Sequence, residues 1–248
     1  MNESVFDKEI HFLSKLSDRF RFACHACGKC CGAFRIILSP YDIFRLRHAT
    51  NQLTSQLISN GRIQIRQESF KRVFGFGPLA DFLDVFGIST NDAVPVAVLQ
   101  FDSASGMQEC RFLGRPANER RLCTIYEHRP TMCRLHPLGC TTIEGECKWF
   151  FRKPLCEESH DAEQTVEQWL EASKAADFCD ANAEYRTWLC SLLNGPTRFS
   201  LLPQNQRDMV TRILYDFDSV ASNVKCINWE DIGKMFDHWR TEHVKRGK

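Results

Sequence analysis

The chain has 248 residues, 43% hydrophobic and 25% charged, the composition of a globular protein long enough to bury one large core or two small ones. Its formal net charge of +1 supplies no bulk attraction to nucleic acid or to an anionic membrane, so neither is an expected partner. The 13 cysteines are the feature out of proportion. In a secreted chain they would read as disulfides, but the opening MNESVFDKEIHFL is acidic where an export signal is basic, and no long apolar run follows. A cytoplasmic setting is therefore expected, and in a reducing compartment clustered thiols read as metal ligands.

Along the chain, Ile10, Phe12, Leu13, Leu16 and Phe20 stand among charged residues and predict a short amphipathic helix over residues 1–22. It leads into FACHACGKCCG, which places Cys24, Cys27, Cys30 and Cys31 within eight positions. In a CxxC loop the second sulfur swings back toward the first, so both reach one tetrahedral ion. The longer CxxCxxC run also has the spacing of ferredoxin loops, where three thiolates grip one cluster and a distant cysteine completes it. Cys30 and Cys31 are adjacent and point in divergent directions, which suggests two neighbouring centres or one polynuclear cluster.

A strand carrying Phe34, Ile36 and Leu38 is expected next, then a helix starting at Ser39-Pro40 with Asp42 in its first turn. A second short helix is expected from about Asn51 to Ser59, ending at Asn60-Gly61. Between Arg62 and Thr90 apolar residues from Phe70 to Phe86 are broken by Gly75, Gly77, Pro78 and Gly87, which reads as ordinary packing, with a lid over a pocket as the alternative.

Val94 to Phe101 and Met107 to Leu113 predict a hairpin with Cys110 on the returning strand. Cys123 follows a polar loop, and Cys133 lies between Pro130 and Pro137, which predicts extended or turn geometry around it. A further hairpin is expected over Thr141 to Phe151, ending near Cys156.

Beyond Asp161, a possible cap, the periodicity becomes helical. Val166, Trp169, Leu170 and Ser173 share one face; Tyr185 to Leu193, Met209 to Phe217 and Ile232 to Trp239 carry further stripes. The expected class is α+β: a cysteine-cluster domain over residues 1–170, with short strands, hairpins and helices, and a helical C-terminal extension over 171–248 packed on it.

Taken with the CxxCxxCC run, the segment CTIYEHRPTMCR from Cys123 to Arg134 resembles the YkgJ-like CxxCxxCC family, and the resemblance spans roughly residues 22 to 170. It implies a zinc- or iron-chelating protein. Flagellin lysine methylases resemble the same family, so the resemblance also implies an iron–sulfur-dependent oxidoreductase or protein lysine methylase-like enzyme, or a metal chaperone or sensor, as alternatives. A protein substrate or redox partner is the partner class left open. Where the family often has Cys-Pro-Gly, this chain has Cys156-Glu157-Glu158.

Under this resemblance the metal ligands are Cys24, Cys27, Cys30, Cys31, Cys110, Cys123, Cys133 and Cys156, enough for two four-sulfur sites. The cofactor is an iron–sulfur cluster such as [4Fe–4S], or zinc, because both accept four thiolates. Two such centres leave a charge of about −4, which Lys29, Arg35, Arg111, Arg129 and Arg134 are placed to offset. Cys140 and Cys147 are left open as extra ligands, a redox pair or filler; Cys179, Cys190 and Cys226 read as structural thiols. His25 and His136 are the histidines nearest the ligands. No catalytic residue is assigned.

Overall fold

The computed structural model describes residues 10–33, 36–69, 93–102, 109–114, 120–143, 146–156, 162–181 and 203–218. The class is α+β, with small antiparallel sheets and short helices. No helix among the described residues is long and apolar enough to cross a membrane. The apolar stretch Phe70–Phe86, the Tyr185–Leu193 and Ile232–Trp239 helices, and Cys190 and Cys226 lie outside these residues.

The N-terminal segment corrects the sequence reading. Residues 10–21 form two strands, β1 (Ile10–Leu13) and β2 (Arg19–Arg21), instead of a helix. In β2, Phe20 is buried between exposed Arg19 and Arg21, an alternation that a strand resolves and a helix does not. Distant partners complete both ladders.

A run of short elements follows. Helix α1 (Lys29–Ala33) occupies the end of the cysteine motif, where a loop leading to a strand was expected, and the strand shrinks to β3 (Ile37–Leu38). Helix α2 (Pro40–Thr50) begins as predicted: Ser39 caps it, Pro40 opens it, and Asp42 closes the capping box. Asn51 ends it in the left-handed conformation at φ 50°. Helix α3 is therefore shorter than expected, Thr54–Ser59.

Strands β4 (Ile63–Ser69) and β5 (Ala93–Leu99) pair in full register from Ile63↔Leu99 to Ser69↔Ala93, and β3 flanks β5 on its other side. Val96, Ala97, Val98 and Leu99 are buried, the pattern of a central strand covered on both faces. The predicted hairpin of Val94–Phe101 with Met107–Leu113 is reduced accordingly to β6 (Phe101–Asp102) and β7 (Glu109–Cys110).

Past Cys123, Pro130 precedes helix α4 (Thr131–Leu135), so Cys133 sits on a short helical turn, with Pro130 at ψ 157° and His136 at ψ 130° giving the extended geometry expected at either end. Pro130 at the N-cap and Pro137 beyond the end bound the turn without entering it. The later hairpin is present and begins earlier, as β8 (Leu138–Ile143) with β9 (Glu146–Arg152), and β1 adds to β9. Strand β10 (Glu163–Thr165) pairs with β2. Thr165, not Asp161, caps helix α5 (Val166–Ser173), through a capping box with Gln168.

Two apolar groupings carry the packing. Phe20, Phe22, Leu138 and Val166 form a buried cluster with Trp169 and Leu170 against it, and the Phe22 and Trp169 rings meet edge-on at 5.3 Å. Leu38, Ile43, Leu46, Leu57 and Ile63 are fully buried around the β3-β5-β4 sheet. Helix α6 (Gln204–Tyr215) joins them with Tyr215 and Phe217, each about 1% exposed. The Tyr215 hydroxyl donates to Pro95 O at 3.0 Å and Arg47 donates to Phe217 O at 2.6 Å, so this helix is tied to β5 and α2.

Candidate metal centre

All eight cysteines named above line one cavity of about 350 Å³. They reach it from different elements. Cys24 and Cys27 lie on the irregular loop ahead of α1, Cys30 and Cys31 on α1, and Cys110 on β7. Cys123 forms a bridge with Leu113, Cys133 is on α4, and Cys156 follows β9. Cys179, in the helical residues 175–181, is not among the lining groups. The side chains of Cys140 and Cys147 lie outside the described set.

Backbone contacts fix this convergence. The motif loop turns through Ala26 at φ 55° and Gly28 at φ 78°, and the Arg121 N–H donates to Ala26 O at 2.6 Å. A Cβ on Gly28 would stand 3.1 Å from Leu113 Cδ2 and 3.4 Å from Arg121 Cβ, so the loop lies directly on the Cys110–Cys123 region. There, Leu113 N–H donates to Cys110 O, Thr124 N–H to Phe112 O and Gly114 N–H to Leu122 O, at 2.8–2.9 Å. This ladder brings Cys110 and Cys123 together.

Burial raises the thiols of Cys30, Cys31, Cys110, Cys123 and Cys133. Burial raises Cys30, and Cys27, Cys24 and Cys156 add to the rise by their own charge. Cys31 is pushed up to about 12 by burial first, then by Cys110 and Cys123, with Cys24 and Cys30 further down the order. Cys133 is raised well above the ordinary thiol value by burial, then by Cys110, Cys31, Cys123 and Asp42. Burial also raises Cys110, with Cys123 contributing. Cys30 thus has Cys24, Cys27 and Cys156 beside it, while Cys31 has Cys110 and Cys123 first and Cys24 and Cys30 after them.

Several amides point the other way in energy. Backbone N–H groups of Phe112 and Leu113 act on the Cys110 sulfur, that of Ile125 on Cys123, and that of Leu155 on Cys30. Each favours the thiolate and so opposes the burial that favours the thiol. Were these thiols to bind a metal, the same donors would assist the deprotonation that binding requires.

The charged side chains on the cavity wall are arginines: Arg121, Arg129 and Arg152 line it, and no aspartate or glutamate among the described residues does. Arg129 stacks on Tyr126 at 3.9 Å and favours the thiolate of Cys123; Arg62 does the same for Cys110. Arg121 is shared with Glu109 through two contacts of 2.6 and 2.9 Å. Of the cations proposed from sequence, only Arg129 lines the cavity. Arg111 turns to Asp102 and Asn60, Arg134 is buried on backbone carbonyls, and Arg35 is outside the described residues. Arg62 and Arg152 carried no spacing signal that would have singled them out.

His25 and His136 both border the cavity. Burial, with Arg152 adding, lowers His136 to about 4, so it is neutral at physiological pH, with its ring edge-on to Phe22 at 5.8 Å. The rest of the wall is apolar, with Phe22, Phe112, Phe150 and Trp169 as its largest members.

A protein-family model named CxxCxxCC and described as "Putative zinc- or iron-chelating domain" matches residues 23–180. The chain belongs to the CxxCxxCC family. The match runs from the motif loop through helix α5 and includes all eight cavity cysteines. The family's metal is zinc or iron. No curated protein and no solved structure matches the chain. Among the described residues, no group of three or more histidine, cysteine or carboxylate side chains stands in ion-holding geometry, so ligation requires the thiols to turn toward a common point. The donor set suits such a metal chemically, being thiol-rich, acid-free and flanked by cations.

Proposed function

We propose that this chain is a metal-binding protein holding two zinc or iron centres through the eight cavity cysteines, four thiolates to each, with iron present as an iron–sulfur cluster. The observation that carries this reading is the convergence of eight cysteines from five separate segments on one cavity, a number that supplies two four-thiolate sites. Two Cys₄ centres carry about −4 of charge, and the acid-free, arginine-bearing wall is suited to that excess. Cytoplasmic location belongs to the same proposal, since a reducing compartment keeps the thiols available. So does the division at residue 170. Contacts of Tyr215, Arg47 and Asp218 support a C-terminal part packed on the cysteine domain.

A second reading is an iron–sulfur enzyme, an oxidoreductase or a protein lysine methylase-like transferase. What favours it is the apolar space beside the cysteines, bounded by Phe22, Phe112, Phe150 and Trp169.

Anaerobic purification with metal and acid-labile sulfide analysis tests both readings. Zinc at about two per chain without sulfide supports two mononuclear sites, and iron with sulfide and a broad band near ~400 nm supports clusters. Cys133→Ala is expected to lower metal content; full retention removes Cys133 from the ligand set. Absence of bound metal overturns the proposal.

A further inference from the structure

We infer that Arg45, His48 and His128 form an anion site, apart from the cysteine cavity, that takes a phosphate group. None of the three is among the residues that line the cavity, so what the thiols hold does not enter.

Two elements bring these side chains together. Arg45 and His48 stand one turn apart on α2, and His128 ends the single helical turn Tyr126–His128 ahead of α4. Arg45 Nη2 lies 2.7 Å from His128 Nδ1, and the His48 and His128 rings are 6.0 Å apart at 70° to one another. Arginine has donors and no acceptor, so Nδ1 accepts and the ring proton of His128 sits on Nε2. That N–H is a further donor beside the guanidinium.

The charge of Arg45 is unmet. Among the described residues its guanidinium makes that one hydrogen bond, to an uncharged ring, and no ion pair, and its buried Nε has no acceptor. The same Phe178 ring lies 5.6 Å from Arg45 and 4.1 Å from Arg134, so an aromatic face stands where a carboxylate would neutralise them. Glu127 and Asp177 are the acids that act on this neighbourhood, and both are exposed. A half-buried cation without a counter-charge has lost hydration for little return, and an anion seated on it restores the balance.

Shape selects the anion. Two rings 70° apart with a guanidinium alongside present donors in more than one plane, which suits the tetrahedral oxygens of a phosphate better than a flat carboxylate. His48 is exposed and His128 half-buried, so the site opens to solvent and admits phosphate as the free ion or as a monoester. Carbonyls at the C-terminus of α2 would repel an anion, but they are closed: Asn51 N–H donates to His48 O, Gln52 N–H to Arg47 O and the Thr50 hydroxyl to Leu46 O.

The test is isothermal titration calorimetry of the full chain as purified, at neutral pH and at ionic strength held constant with chloride, using inorganic phosphate and phenyl phosphate. Saturable binding with a Kd of about 1 mM is expected. Arg45→Gln is expected to weaken it about tenfold and His48→Gln about threefold. Binding of both probes supports a site open to monoesters, and binding of inorganic phosphate alone supports one fitted to the free ion. Should Arg45→Gln fail to fold, His48→Gln, a change at an exposed position, still decides. No saturable binding of either probe, or unchanged affinity in His48→Gln or in folded Arg45→Gln, overturns the site.

Discussion

Asp42 Oδ1 accepts two hydrogen bonds from Thr131, one from its N–H and one from its hydroxyl, each 2.7 Å long. The same carboxylate accepts the Ser39 N–H at 2.9 Å, so one buried group closes the N-terminus of α2 and caps α4 from outside. Pro130, at the N-cap of α4, has no side-chain acceptor to offer. Burial raises the Asp42 carboxyl, while the Thr131 and Ser39 bonds act to lower it. Asp42→Ala removes these acceptors and leaves the Thr131 donors buried. A loss of about 3 kcal/mol in urea unfolding is expected. A loss below about 0.5 kcal/mol, the size of an ordinary surface change, would show the cap to be dispensable.

Asp218 repeats the device at α3, where Leu53 holds the cap position. It accepts N–H bonds from Thr54 and Ser55 and faces Arg47 at 3.5 Å. Burial acts to raise its carboxyl, but the Ser55 and Thr54 bonds and Arg47 outweigh it and hold the folded value below the ordinary one. A depressed folded value makes the stabilisation complete above the unfolded carboxylate value of about 4 and lost as pH falls through the folded value. Asp218→Asn is therefore expected to lower stability by about 1 kcal/mol at neutral pH, the gap to wild type closing toward pH 3 and below. A gap of constant size across that titration would rule out the charged cap.

Gly139 lies against the cavity with Phe150 over it. A Cβ at Gly139 would stand 2.0 Å from Phe150 Cζ, so Gly139→Ala drives the ring from its place. Overpacking of this kind is expected to cost about 1–3 kcal/mol. Near-ultraviolet circular dichroism should change with the displaced aromatic wall; an unchanged spectrum and midpoint would mean the ring moves freely.

Arg134 is about 3% exposed and donates to the carbonyls of Glu127, Arg129 at 3.1 Å and Ser173 at 2.8 Å, with its guanidinium 4.1 Å from the Phe178 ring centre. Burial, then Arg129 and Arg45, lower it to about 10, which still leaves it charged at neutral pH. Lysine lacks the planar fork that reaches three carbonyls at once. Arg134→Lys is expected to cost about 2 kcal/mol, read as an earlier urea midpoint with unchanged slope.

What the sequence determined by itself was local. Ser39, Pro40 and Asp42 announced the start of α2 because a cap needs only residues three apart, and the cysteine motifs named the thiols that line the cavity because ligand spacing is written along the chain. Tertiary structure decided the rest. Residues 10–21 are strands because β9 and β10 supply their hydrogen-bond partners from more than 100 positions away, which no local period encodes. Cys133 is helical because Asp42 caps its turn from another helix. That eight thiols meet at one cavity, and that arginines alone supply the charged side chains of the described wall, follow from how five separated segments come together. Desolvation and proximity depend on distance in space, so sequence spacing could name the cysteines but not what stands beside each of them.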